Sequence, residues 1–283
     1  MDVRPKKALG QHFLTDQGVA RSIVGALEPG SGVKDVLEVG PGMGVLTQYL
    51  LQREDIDLKM VEIDSESVAY LLTHFSGVAG RILEADYLRL DMSRVFPGQY
   101  RVIGNFPYNI SSQIFFKILE DKDRVPEVVC MVQKEVADRI AEGPGSKVYG
   151  ILSVLLQAWY DITPVLSVGP GAFVPPPKVH SAVIRLVRNS RESLGCDPKL
   201  FKTVVKTAFN QRRKTLRNAL KPLLGQLASG GSAAGDSEVK AAAVSSGETA
   251  AGGIDLSDPI FDLRAERLSV EDFIRLTQII SGE

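Results

Sequence analysis

The residues best able to do chemistry fall in four places. They are Glu38-Val-Gly40-Pro-Gly42-Met-Gly44, Glu62, Glu84-Ala-Asp86-Tyr and Gly104-Asn105-Phe106-Pro107-Tyr108-Asn109. In the last run the Asn105 amide oxygen and the carbonyl of Phe106, held before Pro107, are two acceptors of restricted geometry. Acceptors on both hydrogens of an aromatic amino group would encourage its nitrogen to pyramidalise and attack. Tyr108 would then stack on the ring that carries it. A plain proline turn with an Asx bond gives the same string, so its meaning depends on where the chain places it.

The glycine run follows an apolar segment. Glycines at a strand end let a ligand approach the backbone closely, and the next helix points its amide end at it. Glu62 lies 20 residues beyond Gly42, where an ionised carboxylate accepts from both hydroxyls of a ribose. So far the pattern suits a nicotinamide cofactor as well as any other adenosine compound. Two features separate them. Gly40, Gly42 and Gly44 make G-x-G-x-G in place of G-x-G-x-x-G. A third carboxylate, Asp86, is placed to accept from an adenine amino group, or else to cap a helix. The three loops together read as a pocket for S-adenosylmethionine.

These residues need a frame. Val36–Val39, Leu58–Ile63, Arg81–Ala85, Tyr100–Gly104 and Val128–Val132 read as short buried strands, with helices at Leu46–Gln52 and Glu66–His74 between them. Regular alternation predicts a doubly wound parallel α/β sheet. Asp16 is placed to cap a helix that turns Val19, Ile23, Val24 and Leu27 inward. A further helix is expected over 149–160 and a last strand over Ser181–Leu186. Beyond Asn189 the pattern is helical only, ending in Val270–Ile280, so a catalytic domain over 1–189 and a helical domain over 190–283 are expected. Between Gly225 and Gly253, 20 of 29 residues are Gly, Ala or Ser. Such a segment cannot bury enough to offset its ordering entropy, and reads as a flexible insertion.

The formal charge of −1 conceals a contrast. Lys199 to Lys221 holds eight basic residues and no acid, while the rest of the chain holds 25 basic and 34 acidic residues. Lys199, Lys202 and Lys206 share one helical face, and Arg213, Arg217 and Lys221 recur every four residues. The spacing predicts an amphipathic helix pair with a cationic side, either a solvated surface or a phosphate-binding one. No run approaches 18 apolar residues, so no membrane span is expected. With Cys130 and Cys196 far apart and no His/Cys cluster, neither disulfide nor metal is expected, and a cytoplasmic protein is the default.

Asn105-Phe-Pro-Tyr resembles the N-L-P-Y form of the amino-methyltransferase signature found in ribosomal RNA adenine dimethylases. Leu9-Gly-Gln-His-Phe-Leu14, Val132-Gln-Lys-Glu-Val136, Ser146-Lys-Val-Tyr-Gly150, Ala172-Phe-Val-Pro-Pro-Pro-Lys-Val179 and Phe209-Asn-Gln-Arg-Arg-Lys-Thr-Leu-Arg-Asn218 extend the resemblance, in order, over nearly the whole chain outside the insertion. They resemble the bacterial small-subunit branch of that family. The resemblance implies a class I methyltransferase fold with a small helical C-terminal domain. It implies methyl transfer from S-adenosylmethionine to N6 of two adjacent adenosines near the 3′ end of 16S rRNA, by a monomer acting on the assembling small subunit. Carried over by position, the cofactor contacts are His12, Leu14, Gly40, Glu62, Asp86 and Asn105. The reacting base falls to Asn105, Phe106, Pro107 and Tyr108, with Phe173 as a second aromatic wall. His12 stands where the family often has Asn, and Phe106 where it commonly has Leu. Arg212, Arg213, Lys214, Arg217 and Lys221 would grip RNA phosphates.

Three other readings share parts of the pattern. A large-subunit rRNA dimethylase would have the same pocket, but Phe-Asn-Gln-Arg-Arg-Lys and Phe-Val-Pro-Pro-Pro-Lys-Val favour the small-subunit branch. A binding protein that has lost catalysis is opposed by the intact Asn105–Tyr108 motif. A nicotinamide dehydrogenase is opposed by the glycine spacing.

Overall fold

The computed structural model describes residues 5–6, 10–29, 32–228 and 256–282. The chain divides into two compact units, Met1–Ala141 with Tyr160–Asn189, and Glu142–Trp159 with Ser190–Glu283. The single cut expected at 189 is therefore incomplete, because 142–159 leaves the first unit and joins the second.

The first unit contains β1 (Phe13–Leu14), α1 (Gln17–Ala26), β2 (Asp35–Val39), α2 (Thr47–Leu50), β3 (Asp57–Glu62), α3 (Ser65–His74), β4 (Ile82–Glu84), β5 (Arg101–Asn105), α4 (Ser111–Glu120), β6 (Glu127–Gln133) and α5 (Lys134–Ala141). The chain returns to this unit through β7 (Tyr160–Val168), β8 (Phe173–Val174) and β9 (Ser181–Arg188), whereas α6 (Ile151–Gln157) belongs to the second unit. The main sheet has the order β4-β3-β2-β5-β6-β9-β7. Its first five strands are parallel, and β9 and β7 add antiparallel. Consecutive residues of β2, β5 and β6 are buried, which requires cover on both sheet faces. The order reverses between β2 and β5, and ligands of such sheets bind at the carboxyl ends beside that reversal.

Local chemistry sets the helix ends. Asp16 accepts from the amides of Gly18 and Val19 and caps α1, whose Ala20, Ile23 and Val24 are buried as their spacing predicts. The helix expected over 149–160 is shorter, because Tyr160 already begins β7. That strand carries Pro164 and a register shift between Pro164 and Leu166, both tolerated because β7 lies at the sheet edge.

The second unit is helical. It holds α6, α7 (Pro198–Asn210), α8 (Leu216–Ala219), α9 (Lys221–Ala228) and α10 (Val270–Ser281), with short 3₁₀ turns at Pro259–Asp262 and Ala265–Arg267. Tyr149 meets Phe209 edge-on at 5.9 Å, and Phe209 lies 5.8 Å from Phe273. Ser269 and Asp272 close a capping box on α10. The region expected to be one helix pair over 199–221 is α7, a turn, then α8 and α9. Of the segment expected to be flexible from Gly225 to Gly253, residues 225–228 belong to α9, and residues 229–253 lie outside the described residues. Among the described residues no helix is long and apolar enough to cross a membrane.

Candidate active site

The strand ends converge on one cavity of about 290 Å³ in the first unit. Its walls come from the ends of β2, β3, β4 and β5 and from the segment 10–14. Gly40, Gly42 and Gly44 all take positive φ (68°, 55° and 80°), a conformation side chains resist. A Cβ on Gly44 would meet the Phe75 ring at 2.6 Å, so this loop keeps its spacing for packing as well as for its backbone shape. Gly104 has a different reason. A Cβ there would lie 2.5 Å from the Val39 carbonyl oxygen, so glycine lets β2 and β5 close up at the sheet reversal.

Three carboxylates stand on the wall. Glu62 accepts from the amide of Gly42 at 3.1 Å and from those of Ile63 and Asp64 at 2.9 Å each. Burial raises its pKa against the pull of those amides. Its carboxylate thus links the β3 end to the glycine loop. Asp86 lines the cavity and also caps the 3₁₀ turn Tyr87–Arg89 through the Leu88 amide at 2.9 Å. Glu38 heads the glycine run, but nothing in the sequence assigns it a role of its own. It is 1% exposed, lines the cavity, and accepts from the Thr47 hydroxyl at 2.7 Å. Burial, with Glu62 nearby, pushes its pKa up to about 8. A carboxyl inside the apolar strand Asp-Val-Leu-Glu-Val was its one signal.

The segment 10–14 is fastened at several points. Gln11 reaches Asp64 at 3.3 Å, and Lys6 pairs with Asp64 at 2.5 Å and Glu66 at 3.1 Å. Strand β1 pairs with β8, Leu14 opposite Phe173. Gly10 fits so closely against Asn109 that a Cβ would sit 2.6 Å from its side-chain oxygen.

Asn105 ends β5 on the cavity wall. Its Nδ2 donates to the His12 carbonyl at 3.2 Å, which orients the amide, and its Oδ1 is buried without a hydrogen-bond partner. An unpaired acceptor in such a place is costly unless a ligand uses it. Phe106 is fully buried, its amide bound to the Met131 carbonyl at 3.0 Å and its ring edge-on to Phe115. The Tyr108 hydroxyl shares a hydrogen bond with Ser181 Oγ, and burial raises its pKa. Thus Asn105, Phe106, Pro107, Tyr108, His12, Leu14, Gly40, Glu62 and Asp86 meet in one cavity.

Phe173 does not join them. It is 2% exposed and packs in the core with Leu14, Val168 and Val183. In β8 its neighbour Val174 is exposed, while Phe173 sits opposite Leu14, which lines the cavity, without lining it itself. The ring beside Tyr108 is that of His12, 5.4 Å away and inclined by 27°. His12 is held there by donation from Nδ1 to the Pro175 carbonyl at 2.9 Å.

Residues 3–243 match the family model for ribosomal RNA adenine dimethylase. The chain belongs to the ribosomal RNA adenine dimethylase family. It is 55% identical over 277 residues to the ribosomal RNA small subunit methyltransferase A of Parabacteroides distasonis, covering 98% of this chain and 94% of that one. The fold is shared with the dimethyladenosine transferase of Plasmodium falciparum, at a TM-score of 0.75 and 23% identity over 96% of this chain and 98% of that one. The 23S rRNA methyltransferase ErmE shares it at a TM-score of 0.63 and 22% identity, over 95% and 99%.

In this dimethylase the basic segment divides into paired and exposed side chains. Arg212 pairs with Glu266 at 2.8 Å and donates to the Ser146 carbonyl at 3.1 Å. Arg217 pairs with Asp262 at 2.8 Å and donates to the Leu256 carbonyl at 2.8 Å. These two side chains tie the second unit together. Arg213, Lys214 and Lys221 are exposed, so they carry most of the segment's outward charge among the five residues expected to grip RNA.

Proposed function

We propose that this chain transfers methyl groups from S-adenosylmethionine to N6 of two adjacent adenosines near the 3′ end of 16S rRNA, acting as a cytoplasmic monomer on the assembling small subunit. The observation that carries the reading is the oriented Asn105 amide, whose buried Oδ1 has no partner in a cavity ringed by the glycine loop, Glu62 and Asp86. These residues fit S-adenosylmethionine. Backbone at Gly40–Gly42 admits the methionine end, Glu62 accepts from ribose hydroxyls, and Asp86 accepts from the adenine amino group. When bound, it supplies a sulfonium methyl for in-line displacement.

The chain's own residues do the rest. Asn105 Oδ1 and the Phe106 carbonyl accept the two N6 hydrogens and stabilise positive charge as it develops there. Positioning is the main contribution, on a scale of effective molarities of ~10⁵–10⁸ M. A target adenosine leaves its stack at a cost of a few kcal/mol, and stacking on Tyr108 returns roughly 1–3 kcal/mol. Arg213, Lys214 and Lys221 hold RNA phosphates. The small-subunit substrate is supported by the 55% identity to a small-subunit methyltransferase. The test is Asn105→Ala, which should abolish methylation while RNA affinity stays within about twofold of wild type; equal loss of both would remove the role given to Asn105.

A further inference from the structure

We infer that Lys117 is a positioning residue for the donor's adenine: it holds the loop Asp86–Leu90 against the helix that follows the Asn105 motif. The inference rests on the proposed donor site. Residues 85–88 form one wall of the cavity. They run into the 3₁₀ turn Tyr87–Arg89, whose start is capped by Asp86. A turn this short leaves carbonyls at its far end with no partner of its own. Lys117 supplies one from α4. Its Nζ donates to the Leu90 carbonyl at 2.6 Å and the Leu88 carbonyl at 3.3 Å, and it stands 5.3 Å from the centre of the Tyr87 ring.

The ammonium is half-buried in this position. Burial lowers its pKa, opposed by Glu120, Asp121, Asp86 and Asp91. That cost is met by charge-assisted hydrogen bonds to two carbonyls and by the ring face. Helix α4 begins at Ser111, three residues past Tyr108, so one side chain joins the helix that follows the acceptors for the target base to the loop carrying Asp86. Lys117 itself is not among the cavity-lining residues. Without it, Asp86 keeps its cap to Leu88 but the loop loses its anchor at Leu88 and Leu90.

The test uses Lys117→Met, which keeps length and apolar packing, and Lys117→Arg, which keeps donors. For Lys117→Met, KM for S-adenosylmethionine and Kd for S-adenosylhomocysteine should rise about tenfold, equivalent to about 1.4 kcal/mol. The kcat at saturating donor and KM for RNA should stay within about twofold. Amide exchange in the ligand-free protein should quicken over 86–91 and not in β2 or β5. Lys117→Arg should recover at least half of the lost donor affinity. Unchanged donor KM, a joint change in kcat and both KM values, or faster exchange across the whole sheet would each overturn the inference. A wild-type protein that does not bind the donor would overturn the donor site instead, and the exchange experiment would then decide the anchoring by itself.

Discussion

Replacing Glu38 with Gln should make the protein more stable and its donor binding weaker. Glu38 is buried, its Oε2 already accepts from Thr47, and Gln can keep that bond without ever ionising. The carboxyl's ordinary pKa is 4.5, and burial raises it to about 8 in the fold. Between those values the folded state holds a proton that the unfolded chain has lost, so stability falls as pH climbs through that window. At about 1.4 kcal/mol per pH unit, the interval from 4.5 to 7 comes to roughly 3 kcal/mol of destabilisation at neutral pH. Glu38→Gln should remove most of it. Urea unfolding near pH 5 and near pH 8 should give similar stabilities at the low value and a more stable variant at the high one. Donor binding should respond in the opposite sense. A positively charged donor in the cavity that Glu38 and Glu62 line would favour the ionised carboxylate, so binding should release a proton near neutral pH. Calorimetry in buffers of different ionisation heat should show that release in wild type and lose it in the variant. Parallel stability profiles for the two proteins from pH 5 to 8 would refute the reasoning.

Three further outcomes follow from the same structure. Glu127 is buried between Arg101, at 3.4 Å, and Arg185, at 2.7 Å, so Glu127→Ala strands the buried Arg101 charge and should cost about 3–5 kcal/mol in denaturant unfolding; a loss under about 1 kcal/mol would contradict this. Neutralising Arg213, Lys214 and Lys221 together should lower the slope of log affinity against log salt by about 2–3 in filter binding to RNA. Neutralising Arg212 and Arg217, which are paired with Glu266 and Asp262, should lower the melting temperature more than the slope. The reverse pattern would return those two to the RNA surface.

Much of the site was legible because its signals are local. Each of β2 to β5 is a short, largely apolar run ending at or just before a candidate site residue, so Gly40, Glu62, Asp86 and Asn105 could be placed at the carboxyl end of the sheet from spacing alone. What was missed depends on partners distant in the chain. Arg212 and Arg217 read as phosphate ligands because Glu266 and Asp262 lie 54 and 45 residues further on. Phe173 read as a wall of the base pocket by resemblance alone; its burial goes with the pairing of β8 and β1, which no periodicity reports. Strand β7 was hidden by Pro164, which demotes a strand unless it lies at an edge. Helix α6 is apolar nearly all round; that marks burial but not which unit supplies the cover. Glu38 looked like part of a glycine motif until its burial and its bond to Thr47 were known.

The central claim concerns which RNA is modified and where. Labelled methyl transfer to unmethylated small and large ribosomal subunits, side by side, with the label mapped by nucleotide, tests it most directly. The expected result is incorporation into the small subunit alone, at N6 of two adjacent adenosines near the 3′ end of 16S rRNA. Incorporation into the large subunit alone would contradict it.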